Sequence, residues 1–409
     1  MDHLAMQVEE SINWLSSIGA DPAGGISRLL YDDNWLIAQK GLEERFQQIG
    51  LQTSFDEVGN LFGRVEGSKY PSETIMSGSH VDTVVNGGSL DGQFGIIAAY
   101  LAAKYLLETY GQPLRSLEVI SMAEEEGSRF PYAFWGSKNI WGLAKKEEVI
   151  EAADAEGIAF VDAMRKSGFD FRSDADIRQD IKAFVEIHIE QGNVLETIGK
   201  PIGIVNSIVG QKRYTIKLSG EANHAGTTPM SYRKDAIYGY SKIVSQAIEK
   251  ANQAGDPLVL TFGHVEVVPN TVNVVPGQVT FTMDCRHTDA EFLQSFTKGL
   301  EADMQATAAE QGLTIEIDLW MDEQPVPMSD EIVQALIAAC NENKLDYKLM
   351  HSGAGHDSQI FAQFVPTAML FVPSIAGISH NPAEATKLSD LVEGVKALIV
   401  SLYKLAYED

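Results

Sequence analysis

Residues 74–110 read TIMSGSHVDTVVNGGSLDGQFGIIAAYLAAKYLLETY. The first part, 74–79, is a short run bounded by polar residues, and this pattern predicts a buried strand. Residues 94–110 carry apolar side chains at helical spacing between Asp91 and Gly111, and they predict a helix. A strand followed by a helix is the repeating unit of α/β proteins, so this stretch predicts an α/β fold.

Further strand-like runs occupy residues 117–123, 183–189 and 367–372. Runs of this kind are typical of strands that are buried on both faces. The sequence therefore predicts one sheet covered by helices on both sides, which is an α/β/α sandwich.

The pattern changes between about residue 208 and residue 325. Strands are predicted at 213–218, 257–268, 278–285 and 313–320, and helices at 234–251 and 289–311. The order β-α-β-β-α-β is typical of a ferredoxin-like α+β domain. We therefore expect a discontinuous main domain, 1–207 with 326–409, interrupted by an inserted domain at 208–325.

The chain has 409 residues, with 57 acidic and 31 basic side chains and a formal net charge of −26. This charge repels phosphate backbones and anionic lipids, so we expect no nucleic-acid or membrane partner, whereas a buried arginine could still admit a small anionic substrate. The N-terminus does not resemble a secretory signal, and no apolar stretch reaches the roughly 20 residues that span a bilayer. Cys285 and Cys340 show no disulfide-type pattern. We therefore expect a cytoplasmic protein with two reduced thiols.

Side chains that commonly bind metals lie at the ends of four predicted strands. They are His80 and Asp82, Glu124, Glu125 and Glu126, His188, and His380. Packing alone favours apolar residues at such positions, whereas ligands collect at the carboxyl ends of strands in α/β sheets, so the coincidence predicts a metal site. Three histidines and two carboxylates suit two cations that share one bridging carboxylate. Asp82 can accept the second ring N–H of His80 and so fix the tautomer of that ring.

Each of these groups also has a structural interpretation when taken alone. His80 is compatible with a core histidine beside Asp91, which would cap a helix. The three adjacent glutamates are compatible with a solvated surface. The glycine-rich stretch 87–95 has no G-x-G-x-x-G pattern and no suitably placed lysine, which excludes a phosphate-binding loop.

Six motifs occur together and in order: HVD at 80–82, DG at 91–92, EEGSRF at 125–130, HIEQG at 188–192, NHAGTTPM at 223–230 and ISHNP at 378–382. On these motifs the chain resembles, over essentially its whole length, the amidase, hydantoinase and carbamoylase branch of the M20 metallopeptidase and aminoacylase superfamily. Within that branch it resembles the allantoate amidohydrolases most closely. His188 stands where the peptidase branch usually has an acidic residue, which favours the amidase branch.

The resemblance implies two divalent cations per subunit, either manganese or zinc, with cobalt as an alternative. It assigns His80, Asp91 and His188 to one cation, and Asp91, Glu126 and His380 to the other. Asp91 would bridge the two. The resemblance also makes Glu125 the general base toward a metal-activated water, with Glu124 as a bystander, although the residues alone do not rank the adjacent glutamates.

The resemblance further implies that His224, in the inserted domain, binds the substrate and stabilises the developing oxyanion. The other implied substrate-binding residues are Gln211, Asn273, Arg286, Gly355 and His356. Arg286 suits a substrate carboxylate because a guanidinium can donate two parallel hydrogen bonds. The structural alternatives are an ion pair between Arg286 and Asp284, and a contact between His356 and Asp357.

The implied activity is hydrolysis of the ureido group of allantoate to ureidoglycine, ammonia and carbon dioxide. An N-carbamoyl-L-amino-acid hydrolase would share every metal ligand and differ in the shape of its substrate pocket. A non-catalytic metal-dependent binding protein is the alternative outside the enzymes. The resemblance also implies a homodimer formed through the inserted domains, which would act as lids over a small anionic ureido substrate.

Overall fold

The computed structural model describes residues 2–172 and 177–409. The chain forms two compact units, the main unit up to Asn206 with Met328–Asp409, and the inserted unit Ser207–Pro327. These limits differ by one or two residues from the domain limits that the sequence predicts.

The strands, in chain order, are β1 (Gln52–Phe55), β2 (Leu61–Val65), β3 (Tyr70–His80), β4 (Arg115–Met122), β5 (Ile181–Ile189), β6 (Gly203–Ile208), β7 (Gly210–Ser219), β8 (Asn223–His224), β9 (Val259–Thr261), β10 (Val265–Val268), β11 (Val274–Val275), β12 (Gln278–His287), β13 (Thr314–Glu323), β14 (Val326–Pro327), β15 (Lys348–Ser352) and β16 (Thr367–Val372). The helices are α1 (Asp2–Ser16), α2 (Asp33–Gln48), α3 (Gln93–Tyr110), α4 (Trp135–Ile140), α5 (Lys146–Val149), α6 (Phe160–Lys166), α7 (Val194–Ile198), α8 (Ala236–Ala254), α9 (Ala290–Glu310), α10 (Asp330–Glu342), α11 (Ser358–Phe361) and α12 (Leu388–Ala406). Short 3₁₀ turns lie at Met230–Tyr232 and Ile375–Gly377.

The main unit is built on a mixed sheet in the order β1-β2-β4-β3-β5-β16-β6, with β15 beside β6. The four strands predicted from the sequence, β3, β4, β5 and β16, are adjacent and parallel. The antiparallel strands β1, β2 and β6 extend the sheet on either side. The predicted α/β class is therefore confirmed.

Helices pack against this sheet and bury its apolar side chains. On the sheet, Met76, Ile120 and Phe184 form one buried cluster with Ile140 of α4 and Phe361 of α11. Helix α3 packs against β3, β4 and β5, and α12 packs against both α3 and β16. Since β3, β4 and β5 are parallel neighbours, their carboxyl ends meet at one edge of the sheet, and the candidate site lies there.

One predicted strand end is wrong. His80 is the last residue of β3 and His188 is the last but one of β5, but β16 ends at Val372, well before His380. The intervening loop contains the Ile375–Gly377 turn, and His380 itself has a positive φ of 54°. His380 therefore belongs to a loop, whose course the apolar pattern of β16 does not determine.

The inserted unit has an antiparallel sheet in the order β13-β7-β12-β10, the strand order of a ferredoxin-like fold. Side chains along β7 and β12 alternate between buried and half-buried, and the buried ones form a core with α8 and α9. The single strand predicted at 257–268 is in fact two, β9 and β10, which both pair with β12. The break contains Gly263, and the Thr282 hydroxyl accepts a hydrogen bond from the His264 backbone N–H at 3.0 Å there.

Both cysteines are buried free thiols, as the sequence predicts. Burial raises the pKa of Cys285 to about 12 and that of Cys340 to about 11, so both thiols stay protonated at neutral pH. Among the described residues, no helix combines the length and the apolar character needed to cross a bilayer.

Candidate metal centre

Asp91 lies at the centre of a cluster of imidazole and carboxylate groups at the edge of the main sheet. Its Oδ1 atom lies 3.4 Å from Nε2 of His80 and 3.2 Å from Nε2 of His188. Its Oδ2 atom lies 3.3 Å from Nε2 of His380, and that nitrogen lies 3.3 Å from Oε1 of Glu126. The two oxygens of one carboxylate therefore face two different sets of groups, as a bridging ligand requires.

The backbone around Asp91 explains how its carboxylate reaches the cluster. The helix α3 takes Gly92 as its N-cap, without a side-chain cap, so Asp91 does not serve as the helix cap of the structural interpretation. Gly92 has a φ of +64°, and a Cβ atom there would lie 2.3 Å from the His80 ring. Only glycine fits this position, because it allows both the left-handed backbone and the close approach of His80.

Two of the histidines contact oxygen atoms through Nδ1, so that Nε2 is the nitrogen turned toward Asp91. Nδ1 of His188 lies 2.9 Å from the carbonyl oxygen of Ile189, and its Nε2 accepts a hydrogen bond from the Gly92 backbone N–H at 3.0 Å. Nδ1 of His80 lies 3.1 Å from both the carbonyl oxygen and Oδ1 of Asp82. In each ring Nδ1 therefore contacts an oxygen atom on the side away from Asp91, and Nε2 is the nitrogen that faces Asp91.

Asp82 is buried and has a second task besides its contact with His80. Its carboxylate accepts hydrogen bonds from the backbone N–H groups of Glu125 at 2.9 Å and Glu126 at 3.2 Å. Asp82 thereby holds the turn that follows β4 close to the His80 ring. Asp82 therefore positions both the His80 ring and the backbone of Glu125 and Glu126.

The structure distinguishes the three adjacent glutamates. Glu124 is buried, and its carboxylate accepts hydrogen bonds from the backbone N–H groups of Gly127 and Trp135, so it closes the turn. Glu126 points toward His380. Among the described residues, no hydrogen bond engages the Glu125 carboxylate, which lies within reach of His80 and Glu126. Glu125 is therefore the glutamate that remains available for proton transfer.

The protonation preferences of the cluster show a surplus of buried negative charge. Although burial opposes it, hydrogen bonds to nearby aspartates raise the pKa of His80 well above its usual range. Hydrogen bonds to Asp91 and Glu126 raise the pKa of His380 to about 10. Burial and the Glu126 carboxylate raise the pKa of Glu125 well above its usual range. Each of these shifts reflects buried carboxylates close to one another, an arrangement in which a divalent cation is suited to balance the negative charge.

The donor atoms fit a divalent cation in number, type and spacing. Within residues 2–172 and 177–409, three sets have one ligand atom per residue within 4.8 Å of one another: His80, Asp91 and His188; Asp91, Glu126 and His380; and His80, Glu125 and Glu126. The first two sets are the two that the resemblance implies, and Asp91 belongs to both. Imidazole nitrogens and carboxylate oxygens suit zinc, manganese and cobalt alike.

Sequence reasoning missed two polar residues that contact Asp91. Nε2 of Gln191 donates to Oδ2 of Asp91 at 2.8 Å, and the Ser379 hydroxyl lies 3.0 Å from the same oxygen. Gln191 has a positive φ of 57°, which turns its side chain out of the line of β5. Both residues stand inside sequence motifs, HIEQG and ISHNP, so their type was visible, but nothing in the sequence indicated that they meet.

Gly355 and His356 follow β15 in the main unit. Gly355 is exposed, whereas His356 is buried and its Nε2 lies 3.0 Å from the Ser352 hydroxyl. The partner of His356 is therefore Ser352 and not Asp357. The His356 ring packs edge-on against His188, with ring centroids 4.7 Å apart. Burial and the neighbouring His188 hold the pKa of His356 well below its usual range, so this ring is neutral.

In the inserted unit, Gln211 and Arg286 face each other on β7 and β12 and share one carboxylate. Nε2 of Gln211 lies 2.7 Å from Oδ2 of Asp284, and Nε of Arg286 lies 3.0 Å from Oδ1. Arg213 donates to Oδ2 of Asp284 at 2.9 Å. The ion pair considered for Arg286 is thus present, and one aspartate shares two guanidinium groups.

His224 and Asn273 lie next to each other in the β8–β11 region. His224 is exposed, and its Nδ1 accepts hydrogen bonds from the backbone N–H groups of Gly226 at 3.0 Å and Thr227 at 3.2 Å. The neutral ring therefore carries its proton on Nε2, which can donate to an oxygen. The carbonyl oxygen of Asn273 accepts from the Ala225 backbone N–H at 2.9 Å, and the Asn273 residue is exposed.

Comparisons with known proteins give a consistent result. The profile of peptidase family M20/M25/M40 matches residues 76–404. The chain is 61% identical to the allantoate amidohydrolase of Escherichia coli (strain K12), over 99% of both chains. It is 44% identical to the allantoate amidohydrolase of Bacillus subtilis (strain 168), over 98% of this chain and 97% of that protein. Among solved structures, an amidase of the hydantoinase/carbamoylase family from Burkholderia multivorans matches 98% of this chain and 97% of that chain, with a TM-score of 0.93 and 31% identity.

Proposed function

The chain belongs to peptidase family M20/M25/M40, and on that premise we propose that it is a metal-dependent amidohydrolase that cleaves the ureido group of allantoate. The products would be ureidoglycine, ammonia and carbon dioxide. The observation that carries this proposal is the full-length similarity to two allantoate amidohydrolases. The cluster around Asp91 supports it, since it supplies donor groups for cations and a free carboxylate beside them.

The proposal includes two divalent cations, manganese or zinc, with cobalt as an alternative. His80, Asp91 and His188 would hold one, and Asp91, Glu126 and His380 the other. The chemistry that cations supply in such sites is activation of a water molecule and polarisation of a carbonyl oxygen. His80 and His188 support this role because their Nδ1 atoms already contact oxygen atoms.

Glu125 is the proposed general base and acid. Its carboxylate takes a proton from the attacking water, the water oxygen bonds to the terminal ureido carbon, and the proton is then delivered to the leaving nitrogen as that C–N bond breaks and ammonia departs. The carbamate that remains would lose carbon dioxide as its own C–N bond breaks, which leaves ureidoglycine. A carboxyl whose pKa is raised by burial and by Glu126 is suited to both steps. Asp82 would assist this reaction indirectly, because its carboxylate contacts the His80 ring and accepts a hydrogen bond from the backbone N–H of Glu125.

We propose that substrate binding involves the residues that the resemblance implies. The Nε2–H group of His224 would donate to the oxygen on which negative charge develops. Arg286, Asn273 and Gln211 would hold the substrate carboxylate, a role that suits Arg286 because a guanidinium can donate two parallel hydrogen bonds. Gly355 and His356 would line the pocket beside His188.

An N-carbamoyl-L-amino-acid hydrolase is the second candidate, since an amidase of the hydantoinase/carbamoylase family shares the fold at a TM-score of 0.93. Both activities need the same metal ligands and the same base. They differ in the group that must fit beside the attacked ureido group, which is a second ureido group in allantoate and an amino-acid side chain in the carbamoyl substrates.

The test is a direct comparison of substrates under controlled metal content. Apo-protein is resupplied with one metal at a time, and ammonia release from allantoate is measured beside that from N-carbamoyl amino acids. We expect kcat/KM to be highest for allantoate and to vanish without metal. A higher kcat/KM for a carbamoyl amino acid would identify that compound as the substrate instead of allantoate. Hydrolysis that is unchanged by metal removal would overturn the proposal. Tight binding without any hydrolysis would indicate a metal-dependent binding protein.

We also propose a homodimer formed through the inserted units, in a cytoplasmic setting that keeps both thiols reduced. The edge strand β13 exposes Leu319 at 40% and Trp320 at 50%, and Val272 is fully exposed. Among the described residues β13 pairs with β7 on one side only, and an edge strand with exposed apolar side chains is suited to a partner. Light scattering after size-exclusion chromatography would show twice the 44.7 kDa chain mass, and a monomer at micromolar concentration would contradict the dimer.

A further inference from the structure

Glu384 lies in the loop between His380 and α12, and it is buried. Its Oε1 atom accepts hydrogen bonds from the backbone N–H groups of Leu90 at 2.9 Å and Asp91 at 3.1 Å. Its Oε2 atom accepts from the Ser379 hydroxyl at 3.0 Å. We propose that Glu384 is a positioning residue that fixes the loop carrying Asp91 against the loop carrying His380, and so sets the geometry of the metal centre.

The need for such a residue follows from where the ligands lie. His80 and His188 are on neighbouring parallel strands, and the sheet itself fixes their spacing. Asp91 precedes α3 and His380 follows a 3₁₀ turn, so neither stands on a strand. Regular secondary structure therefore does not hold Asp91 and His380 together, and a contact between their loops has to do so.

Glu384 makes that contact with strong hydrogen bonds. A carboxylate that accepts from backbone N–H groups forms charge-assisted bonds, which are about twice as strong as neutral ones. The N–H groups of Leu90 and Asp91 lie ahead of the first turn of α3, so the helix does not provide them with acceptors. The single hydroxyl proton of Ser379 lies between two acceptors, because the hydroxyl oxygen is 3.0 Å from both Glu384 and Oδ2 of Asp91, so the serine links the two carboxylates.

The neighbouring backbone is shaped to admit this side chain. A Cβ atom on Gly88 would lie 2.1 Å from Oε1 of Glu384 and 2.5 Å from its Cβ. Any larger residue at 88 would push Glu384 out of reach of the Asp91 N–H. Gly88, in the loop that carries Asp91, and Glu384, in the loop that carries His380, therefore pack closely against each other.

This inference rests on the proposed metal centre, and the consequence is measurable as metal affinity. Outer partners of metal ligands typically change metal affinity or activity by about 10- to 100-fold when they are removed. We expect Glu384→Ala to weaken binding of the cation that would depend on Asp91 and His380 together by about tenfold or more. Glu384→Gln keeps an oxygen for the two N–H groups but faces Ser379 with an NH2 group or loses one N–H contact, so its loss should be smaller.

The experiment measures binding of Mn²⁺ and Zn²⁺ to apo-protein by calorimetry and by competition with a chromogenic chelator. Asp32→Ala is the matched control, because Asp32 accepts from two backbone N–H groups, those of Leu29 at 2.9 Å and Trp35 at 2.6 Å, and none of its partners belongs to the cluster. Both alanine variants should lower the melting temperature of the apo-protein. Only Glu384→Ala should also weaken metal binding, and it should lower kcat more than it changes KM at subsaturating metal.

The outcomes separate this inference from the proposed function. If the wild-type protein binds no metal, both are overturned. If the wild-type protein binds two cations and Glu384→Ala binds them with equal affinity, only the role of Glu384 is overturned. If Glu384→Ala does not fold, Glu384→Gln and Ser379→Ala decide: a loss of metal affinity of about threefold or more in both supports the role, and wild-type affinity in both overturns it.

Discussion

The two carboxylate oxygens of Asp91 face different histidines, so this one side chain contacts two separate groups of potential metal ligands. Oδ1 faces His80 and His188, and Oδ2 faces His380. Against the cost of burial, the surrounding imidazoles hold the pKa of Asp91 well below its usual range, so the group is an anion at neutral pH. An anion that is buried among three imidazoles is suited to the role of shared ligand that we propose for Asp91.

Replacement of Asp91 should therefore remove metal as well as activity. We expect Asp91→Ala to retain fewer than one cation per chain after gel filtration, because both ligand sets lose a member. Metal content by plasma mass spectrometry and ammonia release from allantoate are the two measurements. Two cations per chain in the variant would contradict the shared role of Asp91.

Replacement of Glu125 should have the opposite pattern. Its carboxylate stands beside the two proposed ligand sets without belonging to either, so we expect Glu125→Ala and Glu125→Gln to retain metal. The kcat value should fall by about 10²- to 10⁴-fold, the usual contribution of a general acid or base. Glu124→Gln is the comparison, because Glu124 closes a turn. A kcat value for Glu125→Gln within tenfold of the wild type would transfer the base to another group.

The sequence predicts some of these residues better than others, for a physical reason. His80, Glu126 and His188 can be predicted because each lies in or next to a strand, and the direction of a parallel strand determines the edge at which it ends. The roles of Gln191, Ser379 and Glu384 depend on the approach of segments about 100 to 300 residues apart. Local sequence patterns contain no information about contacts between such distant segments, so the roles of these residues can be recognised only in the folded chain.

At the scale of secondary structure, the two ends of α3 show how a helix can carry a constraint that comes from the site. Gly92 at its start and Gly111 at its end both have positive φ, of 64° and 74°. A Cβ atom on Gly111 would meet nothing within 4 Å, whereas one on Gly92 would lie 2.3 Å from the His80 ring. Both positions need a residue that tolerates positive φ. Only at Gly92 would an added side chain also collide with a neighbour, the His80 ring.

This difference makes Gly92→Ala and Gly111→Ala a matched pair. Both variants should lose about 1–2 kcal/mol in the free energy of unfolding, because alanine is strained at positive φ. Gly92→Ala should lose more, and it should also lose metal affinity because it displaces His80. Urea unfolding of apo-protein and a metal titration of each variant test this. Equal metal affinity in the two variants would show that the His80 ring tolerates the added methyl group.

Secondary structure was predicted most accurately where tertiary contacts only reinforce local preference. The strands β4, β5 and β16 and the second part of β3 are mostly buried on both faces, and their central residues are largely apolar. The prediction failed at 257–268, where a local strand pattern is interrupted because Thr282 of β12 provides a side-chain acceptor opposite Gly263 and His264. It also failed after β16, where the loop to His380 is fixed by contacts with distant segments.

At the scale of the whole molecule, the change in sequence rhythm near residues 208 and 325 coincides with the limits of a compact unit. A unit with its own buried core produces its own periodicity, so its extent can be seen in the pattern of apolar residues. The role of the unit as a lid or a dimer surface has no such signature. Within the described residues, the three sets of potential metal ligands all lie in the main unit. The chain as a whole carries a formal net charge of −26.

Removal of metal should therefore affect the two units unequally. A cation that binds only the folded state stabilises it by about 2.7 kcal/mol at 100 times its dissociation constant, and this stabilisation is lost when a chelator removes the cation. We expect hydrogen exchange to accelerate on chelation at the carboxyl ends of β3, β4 and β5 and in the loop around His380, and to stay unchanged in β7 and β12. Asp91→Ala should show the fast exchange with or without chelator, because its sites are already lost. Equal acceleration in both units, or none in the wild type, would mean that the cluster around Asp91 does not hold the cations that stabilise the main unit.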